Sequence, residues 1–188
     1  EAFVDHVGRL LAKYDEAKES FDKALSADGD YVDTYIGLAR LAYAKKDPAK
    51  AQSQLDSALK KDPHSTEGWI LKAELARTQG HDDEARAAYR QVLQFDVNNI
   101  DAYVGLASMD LAANALDAAR KDIDKIKEFS PNDLQVKYGE AVLRFREKKY
   151  SEARDAIEDV LKAIPNYLPA ELLAGAVDYQ LGSYEQAH

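Results

Sequence analysis

Cysteine is absent from the 188 residues, and methionine and tryptophan occur once each. Without a thiol there is no disulfide, no thiolate metal site and no cysteine nucleophile. Apolar runs are short as well, and none approaches the roughly 18 residues of a bilayer-spanning helix. Basic side chains are the minority: 25 Lys and Arg face 34 Asp and Glu, a formal net charge of −9. That balance repels phosphate backbones and anionic lipid, so general nucleic-acid binding and membrane insertion are not expected. No glycine-rich phosphate loop, nucleophile elbow or Cys/His pair is present, and no two of the four histidines share the helical spacing of a zinc site. The adjacent acids Asp82-Asp83, and Asp28 with Asp30, read as helix-start and turn residues, where carboxylates suit the helix dipole. No cofactor, metal or catalytic residue is expected.

What is present is a repeat. Ala17, Ala51, Ala85, Ala119, Ala153 and Ala187 fall on one unbroken period of 34 residues. Around Ala51 the pattern reads Tyr35-x2-Leu38-Ala39-x2-Ala42, then Ala51-x3-Leu55-x2-Ala58, then Asp62-Pro63. Small residues sit where two helices must cross closely, larger apolar residues sit one turn away, and proline follows the point where the second helix stops. The hydrophobic share of 46% suits a folded chain.

In order, the expected helices are Phe3–Ala12 and Asp15–Ala27, then Val32–Lys45 and Ala49–Lys61. Thr66–Gln79 and Asp83–Phe95 follow, then Ile100–Ala113 and Asp117–Phe129, then Leu134–Glu147 and Ser151–Ala163, with a last helix starting at Leu168. Asp28-Gly29-Asp30, Lys46-Asp47-Pro48, Gly80-His81 and Asn114-Ala115 are the expected turns. Gly37, Gly105 and Gly139 fall inside helices, each at a cost of ~1 kcal/mol relative to alanine. They serve either a close helix approach or a ligand backbone.

The pattern resembles the tetratricopeptide repeat, whose signature is W-x2-L-G-x2-Y, then A-x3-F, then P. Trp69, Leu38, Leu106, Gly175, Ala17-x3-Phe21, Ala85-x3-Tyr89, Pro63, Pro131 and Pro165 fall on matching columns. Lys72, Glu140 and Val97 depart from it. The resemblance implies an all-α, right-handed superhelical solenoid of antiparallel helix pairs. Residues 1–188 would form a single domain: a partial repeat 1–31, repeats 32–65, 66–99, 100–133 and 134–167, and a partial repeat 168–188. Because both ends cut a repeat, the chain is expected to be part of a longer array. A narrower resemblance lies in Pro165-Asn166-Tyr167-Leu168-Pro169-Ala170-Glu171 and its continuation to Ala187, which is similar to the TPR-repeat lipoproteins of the bacterial PEP-CTERM/exosortase system. It implies a periplasmic, lipid-anchored scaffold serving exopolysaccharide production or envelope protein sorting. Without it, a cytoplasmic location is the expectation.

At about 100° per residue, one face of each first helix points away from its own partner helix. Its columns read Ile36, Ile70, Val104, Tyr138 and Leu172, then Tyr43, Arg77, Leu111, Phe145 and Tyr179, with Arg40 and Val142 between them and Arg146 nearby. In the resembled family this face lines a concave groove that holds a peptide or partner helix. Aliphatic and aromatic groups with a few arginines are what such a surface uses. The family's clamp for C-terminal carboxylates places Lys and Asn on these columns, and this chain has mainly Ile, Val, Tyr and Leu there. The expected function is therefore a non-catalytic scaffold for a protein or peptide partner. Two alternatives stand beside it: an accessory subunit whose tyrosines meet polysaccharide, and self-association through apolar ends such as Leu173, Val177 and Leu181. For the fifth unit, burial of Tyr138 and Phe145 by a rotated helix is the competing reading.

Overall fold

This computed structural model describes the backbone of residues 2–27 and 31–182, and side chains from Lys13 onward within those ranges. The chain divides into two compact units, Glu1–Val97 and Asn98–His188. The first contains α1 (Ala2–Ala27), α2 (Val32–Ala44), α3 (Pro48–Lys61), α4 (Thr66–Thr78) and α5 (Asp82–Phe95). The second contains α6 (Ile100–Ala112), α7 (Leu116–Phe129), α8 (Leu134–Arg146), α9 (Tyr150–Ala163) and α10 (Leu168–Gln180). The described residues contain no strand, so the class is all-α as expected.

From α2 onward the even-numbered helices start 34 residues apart, and so do the odd-numbered ones from α3. Their ends lie within a residue or two of the expected ones, which is the ordinary uncertainty of a helix end. The first unit departs more. Separate helices were expected on either side of Lys13-Tyr14, but α1 runs unbroken from Ala2 to Ala27. Neither glycine nor proline stands there to end a helix. The expected turn at Asp28–Asp30 and the last repeat alanine, Ala187, lie outside the described residues.

Local chemistry explains the punctuation. The side chains of Ser65, Asn99 and Asp133, one period apart, accept hydrogen bonds from the first-turn amides of α4, α6 and α8. Asp47 does the same for α3, whose first residue is Pro48. Between the helices of each pair one residue adopts positive φ: Lys46 (59°), Gly80 (76°), Asn114 (57°) and Lys148 (63°). Glycine takes this conformation freely, whereas a lysine gives up about 1 kcal/mol.

Packing follows the alanine column. Ala51, Ala85, Ala119 and Ala153 are at most 1% exposed and let α2–α3, α4–α5, α6–α7 and α8–α9 cross closely. In the first unit Leu55, Ala51 and Ala58 of α3 join Ile36, Ala39 and Ala42 of α2 and Leu71 and Leu75 of α4 in one apolar cluster. In the second, Ile123 and Ile126 of α7 pack with Ala107 and Leu111 of α6 and Val136 and Leu143 of α8. Ile157 and Val160 of α9 pack with Ala141 of α8 and Ala170 and Val177 of α10. The departures from the repeat signature are absorbed locally. Lys72 lies over the Trp69 ring at 5.1 Å, and Lys127 donates to Glu140 at 2.5 Å.

Candidate functional site

In the first unit the face expected to be a groove is largely core or ion-paired. Ile36 is 2% exposed and Ile70 is 9% exposed, so both are interior residues, contrary to the expectation that they face a ligand. The physical reason is that α2 and α4 pack on each other as well as on their own partners, α3 and α5. Two faces of the helix are buried rather than one, and Ile36 lies in the cluster with Leu71 and Leu75. Arg40, Tyr43 and Arg77 are exposed. Arg40 donates from Nη2 to Glu67 Oε1 at 3.0 Å.

The second unit carries a cleft. Val104, Ser108 and Leu111 of α6 form one wall, and Gln135, Tyr138, Val142 and Arg146 of α8 form the other. Ile123 and Ile126 of α7 contribute to its lining, and the volume of this open cleft is about 440 Å³. That lies in the range of ligand clefts, about 300–1,000 Å³. Five of the expected residues meet here: Val104, Leu111, Tyr138, Val142 and Arg146. Leu111 is buried, so it belongs to the apolar base of the cleft as much as to its surface.

Tyr138 is half-buried and held at the edge of this cleft. Its ring meets that of Tyr167 edge-on at 5.5 Å, and its hydroxyl donates to the carbonyl oxygen of Pro169 at 3.5 Å. Burial, with a smaller contribution from Tyr167, raises its phenol pKa, so the hydroxyl stays protonated at neutral pH. Phe145 is not among the cleft residues. It is partly buried, packing on Tyr150 at a ring distance of 5.6 Å and against the apolar cluster of α8, α9 and α10, so its expected place in the groove is corrected to the margin of that cluster. Leu172 and Tyr179, on α10, are 67% and 58% exposed.

Sequence reasoning did not assign Gln135 or Tyr167 to a site, and it left the helical glycines undecided. The structure separates those glycines. A methyl group at Gly37 would overlap the Phe21 ring, so this glycine permits a close approach of α1 to α2. At Gly139, which lines the cleft, the same methyl would meet Ile123 Cδ1 at 3.5 Å, an ordinary contact. Gly139→Ala is therefore expected to stabilise the protein by about 1 kcal/mol through helix propensity. Gly37→Ala loses that gain to crowding, with a net change between about zero and a 2 kcal/mol loss. Urea midpoints of the two variants check the contrast, and a destabilised Gly139→Ala would show the cleft floor to be tighter than described.

A second depression, about 650 Å³, lies along α7 and is lined by Tyr103 and by charged residues of both signs. Its charges largely satisfy one another, with Arg120 bound to Asp117 at 2.9 Å and Lys125 to Glu128 at 2.5 Å. Nearby, the Glu147 side chain is 8% exposed and receives Lys149 at 2.9 Å, Arg144 at 3.3 Å and Arg120. Burial alone would push its carboxyl up. Hydrogen bonds from Lys149 and Arg120 and their charges outweigh it and hold the pKa down at about 2. Among the described residues no three His, Asp or Glu side chains converge as for a metal, and no helix is long and apolar enough to cross a membrane.

No curated protein matches the chain. Solved structures do. A tetratricopeptide repeat protein from Parabacteroides merdae ATCC 43184 is 17% identical, with 98% of this chain and 72% of that one covered and a TM-score of 0.77. YrrB, a TPR protein with an unusual peptide-binding site, is 19% identical over 89% of this chain and 86% of its own, at a TM-score of 0.63. The APC/C hetero-tetramer Cut9-Hcn1 is 13% identical over 93% of this chain and 35% of that one, at a TM-score of 0.84. At such identities the likeness concerns the fold, an all-α solenoid of helix pairs. Three family models, each described as tetratricopeptide repeat, match residues 11–75, 66–99 and 97–167, and so account together for most of the chain. With the 34-residue register of its helices, this places the chain in the tetratricopeptide repeat family.

Proposed function

We propose that the protein is a non-catalytic scaffold whose working surface is the cleft of the second unit, between α6 and α8, and that it takes a segment of a partner protein there. The observation that carries this reading is the cleft's composition: aliphatic walls, two tyrosines at the rim and a single charged group, Arg146. Such surfaces bind through apolar anchors, with a few polar groups fixing orientation. The peptide-binding site of YrrB, on a similar fold, supports the class of partner. The exposed Leu172 and Tyr179 on α10 add apolar area within the same unit.

Service to exopolysaccharide production or envelope sorting is the narrower form of this proposal. It rests on the phrase from Pro165 to Ala187, of which residues 183–187 lie outside the described ones. The test of the scaffold reading is photo-crosslinking in a lysate from a benzoylphenylalanine placed at Val142, with Lys121 on α7 as the control position. Adducts with another protein from position 142 and none from position 121 are expected. Equal labelling from both positions would remove the cleft from consideration, and adducts only with itself would favour self-association.

A further inference from the structure

The second helices α3, α7 and α9 are each closed on two sides: α3 by α2 and α4, α7 by α6 and α8, α9 by α8 and α10. The stretch Asp15–Ala27 of α1 stands in the same register, 34 residues before Ala49–Lys61. It has α2 on one side, and no other helix among the described residues packs extensively on it. The open side shows in its burial. Ala17, Phe21 and Ala24 are only partly buried. In the column of Phe21, Leu55, Tyr89, Ile123 and Ile157 are at most 3% exposed, and the alanine column is sealed from Ala51 to Ala153.

The chain carries a sequence suited to that seat. Val4, Val7 and Gly8 fall one period before Leu38, Leu41 and Ala42 of α2. Asp5 departs on the column of Ala39, as Asp110 does on that of Ala42. This segment cannot reach the seat on its own chain, because α1 is unbroken. Gly8 and Ala17 are nine residues apart, about 13 Å along one helix, whereas their counterparts Ala42 and Ala51 share one cluster. The cause lies at Ala12, one period before the left-handed Lys46. A hairpin needs that conformation, which alanine resists, and alanine is also the strongest helix former. The residues that follow, Lys13-Tyr14, match Lys149-Tyr150, which do follow a left-handed turn at Lys148. Folded-back and unbroken forms of this sequence therefore differ chiefly at one hinge.

We propose that two copies of the chain exchange this segment, with residues 2–12 of each seated against Ala17, Phe21 and Ala24 of the other. The two α1 helices then lie antiparallel about a two-fold axis near Ala12, so that position 8 of each is opposite position 17 of its partner. The exchange makes between chains the contacts that a hairpin makes within one, and a single symmetric contact closes both open sides. It is independent of the cleft in the second unit and goes beyond the scaffold reading.

The chain has no cysteine, so an introduced pair reports alone. The full chain carrying Gly8→Cys and Ala17→Cys is purified reduced, oxidised at micromolar concentration and run on a non-reducing gel. Exchange should move most of the protein from 20.9 kDa to twice that mass. A disulfide within one chain would reveal a folded-back hairpin. No disulfide at all would reveal α1 standing alone, because about 13 Å exceeds the roughly 7 Å that a disulfide spans between Cα atoms. Either result overturns the proposal, and products larger than a dimer overturn its reciprocal form. Lys23→Cys in place of Ala17→Cys is the collision control, and as much dimer from it would also overturn the exchange. A second protein adds Ala12→Gly, Lys13→Asp and Tyr14→Pro, which copy Gly80, Asp47 and Pro48. Proline suits the first turn of a returning helix and breaks a continuous one. With its helical circular dichroism retained, this protein should close the disulfide within one chain and sediment as a monomer. If it still forms the covalent dimer, the unbroken α1 is not what joins the copies, and the proposal fails.

Discussion

Leu55→Ala should cost the first unit about 2–5 kcal/mol, the range for deleting a buried leucine. Leu55 is 0% exposed. Around it stand Ala39, Ala42, Ala51 and Ala58, with Ile36, Leu71 and Leu75 completing the cluster. Alanines have no side-chain freedom with which to fill the space left behind, and the helices they join are already crossing closely. Ile36, the two leucines and, at the margin, Val32 and Tyr35 are the side chains that can adjust, so much of the cavity persists and the loss belongs in the upper part of the range. The chain supplies its own probe. Trp69, its single tryptophan, sits in the same unit at the start of α4 and donates from its indole nitrogen to the carbonyl of Pro63 at 2.9 Å. A urea titration followed by tryptophan fluorescence should show a lower midpoint with little change in slope. Leu172→Ala, at a residue 67% exposed, is the control and should stay within about 0.5 kcal/mol of the parent. A Leu55→Ala loss below about 1 kcal/mol would mean that α2, α3 and α4 do not share this cluster.

The same residues show what a reader of the sequence can and cannot see. The alanine period announces the helix pairs because close crossing tolerates only small side chains, and that requirement is local and repeats. Hence Ala51, Ala85, Ala119 and Ala153 are buried as expected. A helical-wheel argument fails for Ile36 and Ile70, because it assigns one buried face to a helix that neighbours on two sides. It fails for Phe145 for a related reason: Tyr150, beyond the turn, draws the ring toward α9, and that contact depends on how the pair closes. Lys46 fell in the expected turn Lys46-Asp47-Pro48, but neither it nor Lys148 signalled a left-handed residue. Their positive φ is imposed by the period, which places a left-handed residue between the paired helices whatever its side chain. Val104, Leu111, Tyr138, Val142 and Arg146 were legible as a set because they recur at helical spacing in a region rich in exposed apolar columns. Gly139 was legible only as an oddity, since the decisive fact is the distance from its missing methyl to Ile123.

Glu147 is expected to matter most in the second unit, and its effect should depend on pH. The residue caps the end of α8, and its carboxylate gathers Arg120 and Arg144 from two helices and Lys149 from the turn. Replacing it by glutamine keeps the shape and removes the charge, leaving three cations close together. Breaking a buried pair costs about 3–5 kcal/mol. These cations keep 40%, 33% and 47% of their surface in water, so the screened loss at neutral pH is about 1–3 kcal/mol. The carboxyl titrates near 2 in the folded chain against 4.5 without its surroundings, so the unfolded chain binds the proton first as acid is added. Stability from Glu147 is therefore fully present above about pH 4.5 and is lost as the pH falls toward 2. Other carboxylates lower the stability of both proteins in acid, so the informative quantity is the difference between parent and Glu147→Gln. It should be constant between pH 6 and pH 8, narrow through pH 3, and nearly close at pH 2. Amide hydrogen exchange in α8 and α9, with urea midpoints at each pH, measures it where the interaction acts. A difference unchanged from pH 6 to pH 2 would show that shape rather than charge makes the contribution, and that the cations around Glu147 are held by the helices alone.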